Sequence, residues 1–290
     1  MEKFVQLTVS GLSNGMIYAL VALGFVIIYK ASDVINFAQG EFLLFGAYLA
    51  FAFIAQAGMP WTIGVLLTLL VAVLIGVLVE RFVLRPLIGE PIISMIMATI
   101  GLSSVLKGIV NAIWSPVPRA FPEFIPRTDV YIGPAVVGAD RLIAIAIAGI
   151  MLAVFTAFFR YNKEGIAMRA IADDQQAALS MGISIKRVFA VAWGIAAVTA
   201  AVGGIIVANI VGVSGEISFL GLRVFPVVIL GGLDSIPGAI IGGAIIGLLE
   251  AYTGGYIGQG LELVIPFIVL MVVLMVKPYG LFGKEIIERV

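Results

Sequence analysis

Long stretches without charged side chains constrain this chain more than any other feature. Residues 4–29 and residues 42–79 contain no Asp, Glu, Lys or Arg. A helix of about 20 residues crosses the roughly 30 Å hydrocarbon core of a bilayer, so the first run fits one crossing and the second is too long for one. A Gly-Met-Pro turn at residues 58–60, followed by Trp61, predicts that the second run divides there into two spans.

Further apolar runs extend the same pattern along the chain. We predict spans at about 92–114, 142–159 and 188–213, with shorter pieces at about 222–232, 236–253 and 261–276. These lengths exclude a transmembrane β-barrel, whose strands alternate over about 10 residues. Only 12% of the residues are charged, half of the roughly 25% found in soluble domains. The sequence therefore predicts an all-α integral membrane protein, one domain over residues 1–290 with about eight transmembrane helices.

The amino-terminal run and the glycines fit this prediction. The start lacks a basic region and an obvious cleavage site, so we interpret the first run as a span and not as a signal peptide. Glycine pairs four residues apart allow close helix packing in lipid. They are Gly11 with Gly15, Gly238 with Gly242, and Gly243 with Gly247.

The residue inventory excludes several classes of site. The chain has no Cys and no His, which excludes disulfides, zinc sites built on these residues, thiol nucleophiles and Ser-His-Asp triads. Seventeen basic and 17 acidic residues balance to zero net charge, which argues against nucleic acid as a partner. We expect no catalytic, cofactor or metal site in this chain.

The distribution of basic residues predicts an orientation. Eleven of the 17 fall on one side of the predicted spans: Lys30, Arg81, Arg85, Arg160, Lys163, Arg169, Lys186, Arg187, Lys277, Lys284 and Arg289. The opposite side has Lys3, Arg119, Arg127, Arg141 and Arg223, and Lys107 lies inside a span. Because cytoplasmic loops are rich in Lys and Arg, we place the carboxyl terminus in the cytoplasm and the amino terminus outside.

Residues 115–141 form the longest predicted outer loop. Its five prolines, Pro116, Pro118, Pro122, Pro126 and Pro134, forbid a continuous helix. The Val-Tyr-Ile sequence at 130–132 is either a short strand or an extended stretch. The loop is either a rigid linker on the membrane surface or a landing surface for an external partner.

Two stretches interrupt apolar sequence. In the first break, residues 33–41, Asn36 and Gln39 resemble a capping box and predict a helix start. Glu41 precedes a long uncharged run, so it is either part of a capped helix start near the inner surface or a gating or structural group inside the bundle.

The second break, residues 230–238, contains its own stop and start signals. Gly231 or Gly232 can end one helix in the left-handed conformation, and Asp234 or Ser235 can cap the next, with Pro237 in its first turn. Transporters use such broken helices near their pathways, but an ordinary short hairpin explains the pattern equally well.

Residues 160–187, here called the polar connector, have charges of both signs and a helix-forming composition. A period of 3.6 residues places Met168, Ile171, Ala178 and Leu179 on one face and Arg169 and Asp173 on the other. We predict a short helix that ends at Gly182. It either packs on its own bundle or fits a groove in a cytoplasmic motor.

The chain contains no energy source that the sequence can identify. There is no Gly-x-x-x-x-Gly-Lys-Ser/Thr phosphate loop. Buried carboxylates or histidines do not form the ladder that proton-driven carriers use. The protein is therefore either a passive pore or driven by a separate subunit.

The motifs together resemble the shorter membrane permease of the branched-chain amino acid ABC importers, over nearly the whole chain. The resemblance rests on residues 24–29 leading into 36–41, on Glu164-Gly165, Arg169-Ala170 and Ala178 to Gly182-Ile183, on 230–232 with 235–238, and on Pro278 with 280–283. This sequence departs from the family pattern at Gln39, where many relatives have His, and at Asp234, where Gly is usual.

The resemblance implies a multi-subunit importer in the inner membrane. Its parts are a second homologous permease, two cytoplasmic ATPases that bind ATP and Mg, and an external solute-binding protein. It implies that ATPase coupling involves Glu164, Gly165, Arg169, Ala170, Asp173, Ala178, Gly182 and Ile183. Pathway or gating candidates are Asn36, Gln39, Glu41, Gly231, Gly232, Asp234, Ser235 and Pro237.

Three alternatives stay open at this stage. Within the family, permeases for urea or short amides look much alike, and nothing in the chain identifies the cargo. A secondary carrier or a channel would need no ATPase. A membrane-embedded enzyme is disfavoured because the spans contain no metal set and no nucleophile–base pair.

Overall fold

A computed structural model describes residues 2–115, 117–125, 128–132, 135–258 and 260–283. Pro116, Pro126, Arg127, Pro134, Lys284 and Arg289 lie outside the described residues. The helices are α1 (Glu2–Ser32), α2 (Gln39–Phe51), α3 (Trp61–Val79), α4 (Ile92–Trp114), α5 (Ala139–Tyr161), α6 (Lys163–Asp173), α7 (Gln175–Ser180), α8 (Ile185–Val211), α9 (Phe219–Gly231), α10 (Ile236–Tyr252) and α11 (Ile265–Val276). Strands β1 (Asp129–Ile132) and β2 (Ala135–Gly138) complete the fold.

The helices confirm the predicted fold class. Among the described residues, seven helices are long and apolar enough to cross a membrane, and Leu261–Val276 is a shorter apolar helix. The predicted division of residues 42–79 is also correct. The chain turns at Gly58, which has a left-handed φ of 65°, and α3 begins at Trp61. Glycine adopts this φ without the steric cost that a Cβ would add.

Of the two alternatives for residues 130–132, the structure has the strand, as part of a small hairpin. β1 pairs with β2 in antiparallel register, with Val130 opposite Val137 and Tyr131 opposite Val136. A separate bridge joins Arg119 to Val213, just after the end of α8. These pairings satisfy backbone groups in a segment whose prolines prevent a helix.

Close backbone contacts at glycine hold the centre of the bundle together. Gly11 and Gly15 of α1 lie against the backbone of Gly247 and Gly243 of α10. A Cβ at any of these positions would overlap the facing helix, and Gly242 likewise faces the carbonyl of Val227 in α9. The prediction that the spaced glycines serve helix packing is confirmed.

Helices α2 and α9 both start deep within the bundle. Gln39, the first residue of α2, lies against Gly24, about 12 Å along α1 from its end at Ser32. The 13 residues of α9 span only about 20 Å. Gly40 of α2 contacts the backbone of Ser218 and Gly221 at the start of α9. The first turns of two short helices therefore meet inside the protein.

Candidate transport and coupling sites

Buried amide side chains organise the first break. Asn36 and Gln39 are both fully buried. The side-chain Oδ1 of Asn36 accepts a hydrogen bond from the backbone N–H of Ala38 at 3.0 Å, and its side-chain Nδ2 donates to Gln39 Oε1 at 3.2 Å. Gln39 Nε2 in turn donates to the carbonyl of Ala196 in α8 at 3.3 Å.

The capping-box prediction is therefore wrong in its geometry. Ala38 is the residue that precedes α2, and it makes no side-chain capping bond. The Asn36 side chain accepts from the N–H of Ala38, two residues ahead, and not from that of Gln39, three residues ahead, as a capping box requires. The reason is that the chain forms a tight turn before α2 begins. Asn36 and Gln39 join α2 to α8 and are covered by the bundle in this conformation.

Glu41 lies in the first turn of α2 and is mostly buried, with 8% of its surface exposed. Ser103 of α4 hydrogen-bonds to its carboxylate, and the charge of Lys107, one turn further along α4, acts on it. The Lys107 ammonium lies 4.7 Å from the centroid of the Phe219 ring. Glu41 thus faces polar groups inside the bundle, as intramembrane carboxylates generally do.

The second break follows the predicted pattern closely. Gly232, with φ of 106°, ends α9. Ser235 precedes α10, and its hydroxyl oxygen accepts a hydrogen bond from the N–H of Gly238 at 3.1 Å. Pro237 lies in the first turn of α10, where its missing N–H costs nothing. Gly231 and Gly238 touch backbone to backbone, so no Cβ fits between the two helices.

The carboxyl-terminal motif completes the second break, a role that sequence reasoning missed. The N–H of Leu281 donates to the carbonyl of Leu230 at 2.8 Å, and the N–H of Phe282 donates to that of Gly231 at 3.1 Å. These bonds satisfy the last carbonyls of α9. Gly280, with φ of 77°, packs against the backbone of Gly232. The repeated glycines in this motif were the available signal.

A cavity of about 1050 Å³, here called the inner cavity, lies between the second break and the polar connector. Charged residues of both signs line it: Lys30 in the last turn of α1, Asp33 just after α1, Arg169 and Asp173 of α6, and Asp234 of the second break. The Lys30 ammonium donates to the backbone carbonyl of Asp234 at 3.2 Å. Asp234 therefore lines the inner cavity, while Ser235 caps α10.

Asp33 has an unusual environment at the end of α1. Its backbone is left-handed, with φ of 54°, a conformation that Asp and Asn tolerate better than most residues. Partial burial of its carboxyl is the larger cause that raises the pKa of Asp33, and the neighbouring Asp234 carboxylate is the second. Both effects disfavour the charged form.

The polar connector contains two helices where one was predicted. α6 ends at Asp173, and α7 begins at Gln175. Asn162 caps α6 by accepting from the N–H of Glu164 at 2.9 Å, and Asp174 caps α7 by accepting from the N–H of Ala177 at 2.9 Å. The prediction of a single helix is wrong because Asp174 is itself a strong helix-start residue.

The apolar face of the polar connector packs on the bundle of this chain. Met168, Ile171 and Ala178 of the predicted apolar face are buried, whereas Leu179 is 51% exposed and does not belong to that face. Met181 is the most exposed apolar side chain here, at 83%. Tyr161 and Ile166 are exposed near the start of the polar connector, and Leu179 with Met181 forms the exposed apolar surface next to the turn at Gly182.

The remaining predicted coupling residues have separate roles. Glu164 forms an ion pair with Arg187, which joins the two ends of the polar connector. Gly165 packs against the backbone of α5, where a Cβ would overlap it. Ala170 lines the inner cavity beside Arg169. Gly182 has φ of 81° at the turn after α7, and Ile183 donates its N–H to the carbonyl of Ala178 at 3.0 Å.

Arg223 has polar partners that the sequence analysis did not identify. It lies within α9. It interacts with Tyr18 of α1 and with Glu250 of α10. The Tyr18 hydroxyl donates to Glu250 Oε2 at 2.6 Å. Arg223 therefore belongs to a polar cluster with residues of α1 and α10, which its position in the sequence did not indicate.

The many apolar helices and the two deep helix starts define a polytopic membrane protein with discontinuous helices, an architecture typical of membrane permeases. The profile of the family described as "Branched-chain amino acid transport system / permease component" matches residues 7–274. The chain belongs to this family, which consists of transport permeases and not of enzymes.

Individual relatives match over almost their full length. The high-affinity branched-chain amino acid transport system permease protein LivH of Salmonella typhimurium is 32% identical over 99% of this chain and 98% of its own. BraD of Pseudomonas aeruginosa, with the same description, is 30% identical over 99% and 98%. A probable branched-chain amino acid permease LivH of Methanocaldococcus jannaschii is 27% identical over 94% and 92%.

Proposed function

We propose that this chain is one permease subunit of an ATP-driven importer and forms half of the pathway for branched-chain amino acids. The names of its full-length relatives support this cargo. A second homologous permease would complete the pathway, and an external solute-binding protein would deliver the solute. Two cytoplasmic ATPases would bind ATP and Mg. The excess of basic residues supports an orientation with the carboxyl terminus and polar connector in the cytoplasm.

The inner cavity is the observation that carries the coupling mechanism. The polar connector, the end of α1 and the second break all contribute charged groups to its wall. A shift of α6 would change the distances from Arg169 and Asp173 to Lys30 and Asp234. Because Lys30 also binds the carbonyl of Asp234, α1 and α9 would respond together. Closure of the ATPases would in this way alternate the bundle between outward-open and inward-open states.

The exposed apolar pair Leu179 and Met181 is the proposed contact with the ATPase groove. A charge at Ala178 would also disturb packing, because that side chain is buried on its own bundle. Met181→Glu avoids this problem. We expect it to reduce solute-stimulated ATP hydrolysis about tenfold in the reconstituted transporter, while the permease melts as before.

Met181→Leu is the matched control, and it should retain coupling because it keeps an apolar side chain. Copurification with the ATPases reports assembly independently. Normal solute-stimulated hydrolysis in Met181→Glu would contradict this docking surface. Uptake by liposomes that contain the permease without ATPases would instead support a secondary carrier or a channel, and uptake of urea or a short amide would redefine the cargo.

A further inference from the structure

Lys107 is a charged residue inside an apolar span. It lies about 22 Å along α4 from Ile92 and about 10 Å from Trp114. The exposed neighbours of Lys107 on α4 include Val105 and Ile109, which suit lipid or a protein interface. A lysine at this depth requires a wet or polar surrounding on its exposed side.

The contacts of Lys107 place its charge at the edge of α9. Its ammonium lies over the ring of Phe219, the first residue of α9, which is 52% exposed. The oppositely charged Glu41 is mostly buried behind it and is bound by Ser103. The anion is therefore buried inside the bundle, and the half-buried cation lies over the exposed Phe219 ring.

Arg223 repeats this arrangement one turn further along α9. It is exposed, whereas its carboxylate partner Glu250 is held from behind by the Tyr18 hydroxyl. Leu222, 53% exposed, adjoins it on the same side of α9. Two cations thus flank an apolar stretch on one exposed face, with both carboxylates set back from it.

We propose that this cationic face, defined by Lys107, Phe219, Leu222 and Arg223, contacts the solute during passage and takes an α-carboxylate together with an apolar side chain. This inference rests on the proposed function, and it gives the chemical reason why a branched-chain amino acid would be the cargo. A carboxylate gains charge-assisted hydrogen bonds from Lys or Arg, which a neutral urea or amide cannot match. The Phe219 ring and the Leu222 methyl groups between the cations suit a branched aliphatic chain.

The test uses the complete transporter, with both permeases, the ATPases and the binding protein, in proteoliposomes. Leucine uptake and ATP hydrolysis are measured on the same samples. We expect Lys107→Met to move about tenfold less leucine per ATP, because a charge-assisted hydrogen bond to the solute is lost. Lys107→Arg should restore uptake, and Lys277→Met, which removes an exposed lysine after α11, should behave as wild type.

The outcomes separate this inference from the proposed function. Absence of ATP-dependent leucine uptake by the wild type would overturn the proposed function. Wild-type uptake with an unchanged leucine-to-ATP ratio in Lys107→Met would overturn only the cationic face. Equal losses in Lys107→Met and Lys107→Arg would indicate a packing role and also overturn it. If Lys107→Met fails to assemble, Arg223→Gln carries the same expectation and the same contrary result.

Discussion

At the first break, the amides of Asn36 and Gln39 are completely buried and bound to each other and to α8, and α2 begins without a side-chain cap. At the second break, Gly232 ends α9 and Ser235 caps α10 with local bonds, beside the inner cavity. The start of α2 at the first break depends on the neighbouring helices that surround it. The start of α10 at the second break is instead specified by the residues of its own turn. We therefore expect the first break to be a fixed centre and the second to shift with the polar connector.

The largest effect should come from the contact between the first turns of α2 and α9. A Cβ at Gly40 would overlap the carbonyl of Ser218 and approach Gly221. Gly40→Ala should lower the stability of the folded permease by about 3 kcal/mol, since two backbones must separate. Gly108→Ala is the control in α4, where nothing lies near the added methyl group. Equal melting midpoints in detergent for these two variants would contradict a fixed centre.

The next effect concerns the buried amide network. Gln39→Leu removes the bond to the Ala196 carbonyl and leaves the Asn36 amide without its acceptor. An unsatisfied buried donor costs about 1–3 kcal/mol. Gln56→Leu is the control, because that exposed glutamine loses only its bond from Trp114. Thermal unfolding should show a lower midpoint for Gln39→Leu than for Gln56→Leu, and the reverse order would contradict the comparison.

Sequence rules succeeded where a structure depends on local chemistry or on bulk hydropathy. The spans could be predicted because the bilayer sets their length, and the second break because Gly232, Ser235 and Pro237 each act within a few residues. The same rules failed at the first break. The spacing of Asn36 and Gln39 imitates a capping box, but Gln39 reaches the Ala196 carbonyl far along the chain.

The charged residues show the same limit. The sequence places Lys107 inside a span and assigns Arg223 to the outer side, but their shared relation to α9 needed the packing of α1, α4 and α10. Leu179 was assigned to the buried face because one continuous helix was assumed. The break at Asp174 rotates α7 away from the phase of α6, although Asp174 itself was a visible start signal.

A smaller effect is expected at the second break. Ser235→Ala removes the side-chain cap of α10, which should cost about 1 kcal/mol. The cost is lower than at Gln39 because Ser235→Ala frees one backbone N–H, that of Gly238, whereas Gln39→Leu breaks two hydrogen bonds of buried amides. Ser180→Ala is the control, since Ser180 is exposed and bonds only back to Gln176. A Ser235→Ala permease that melts below Gln39→Leu would show that the second break, not the first, is the fixed centre.

The smallest effect is electrostatic and depends on pH. The pKa of Asp33 is raised above 3.8 in the folded protein, so the folded state holds this proton more tightly than the unfolded state. Stability from Asp33 therefore falls as pH rises from about 4 through the raised pKa. Asp33→Asn removes this pH-dependent contribution to stability and keeps a side chain that tolerates a left-handed φ. Because Asp33 is exposed to solvent, screening limits the stability that Asp33→Asn gains at neutral pH. Melting midpoints should favour Asp33→Asn at neutral pH and converge with wild type towards pH 4, and a constant difference across that range would exclude titration of Asp33 as the cause.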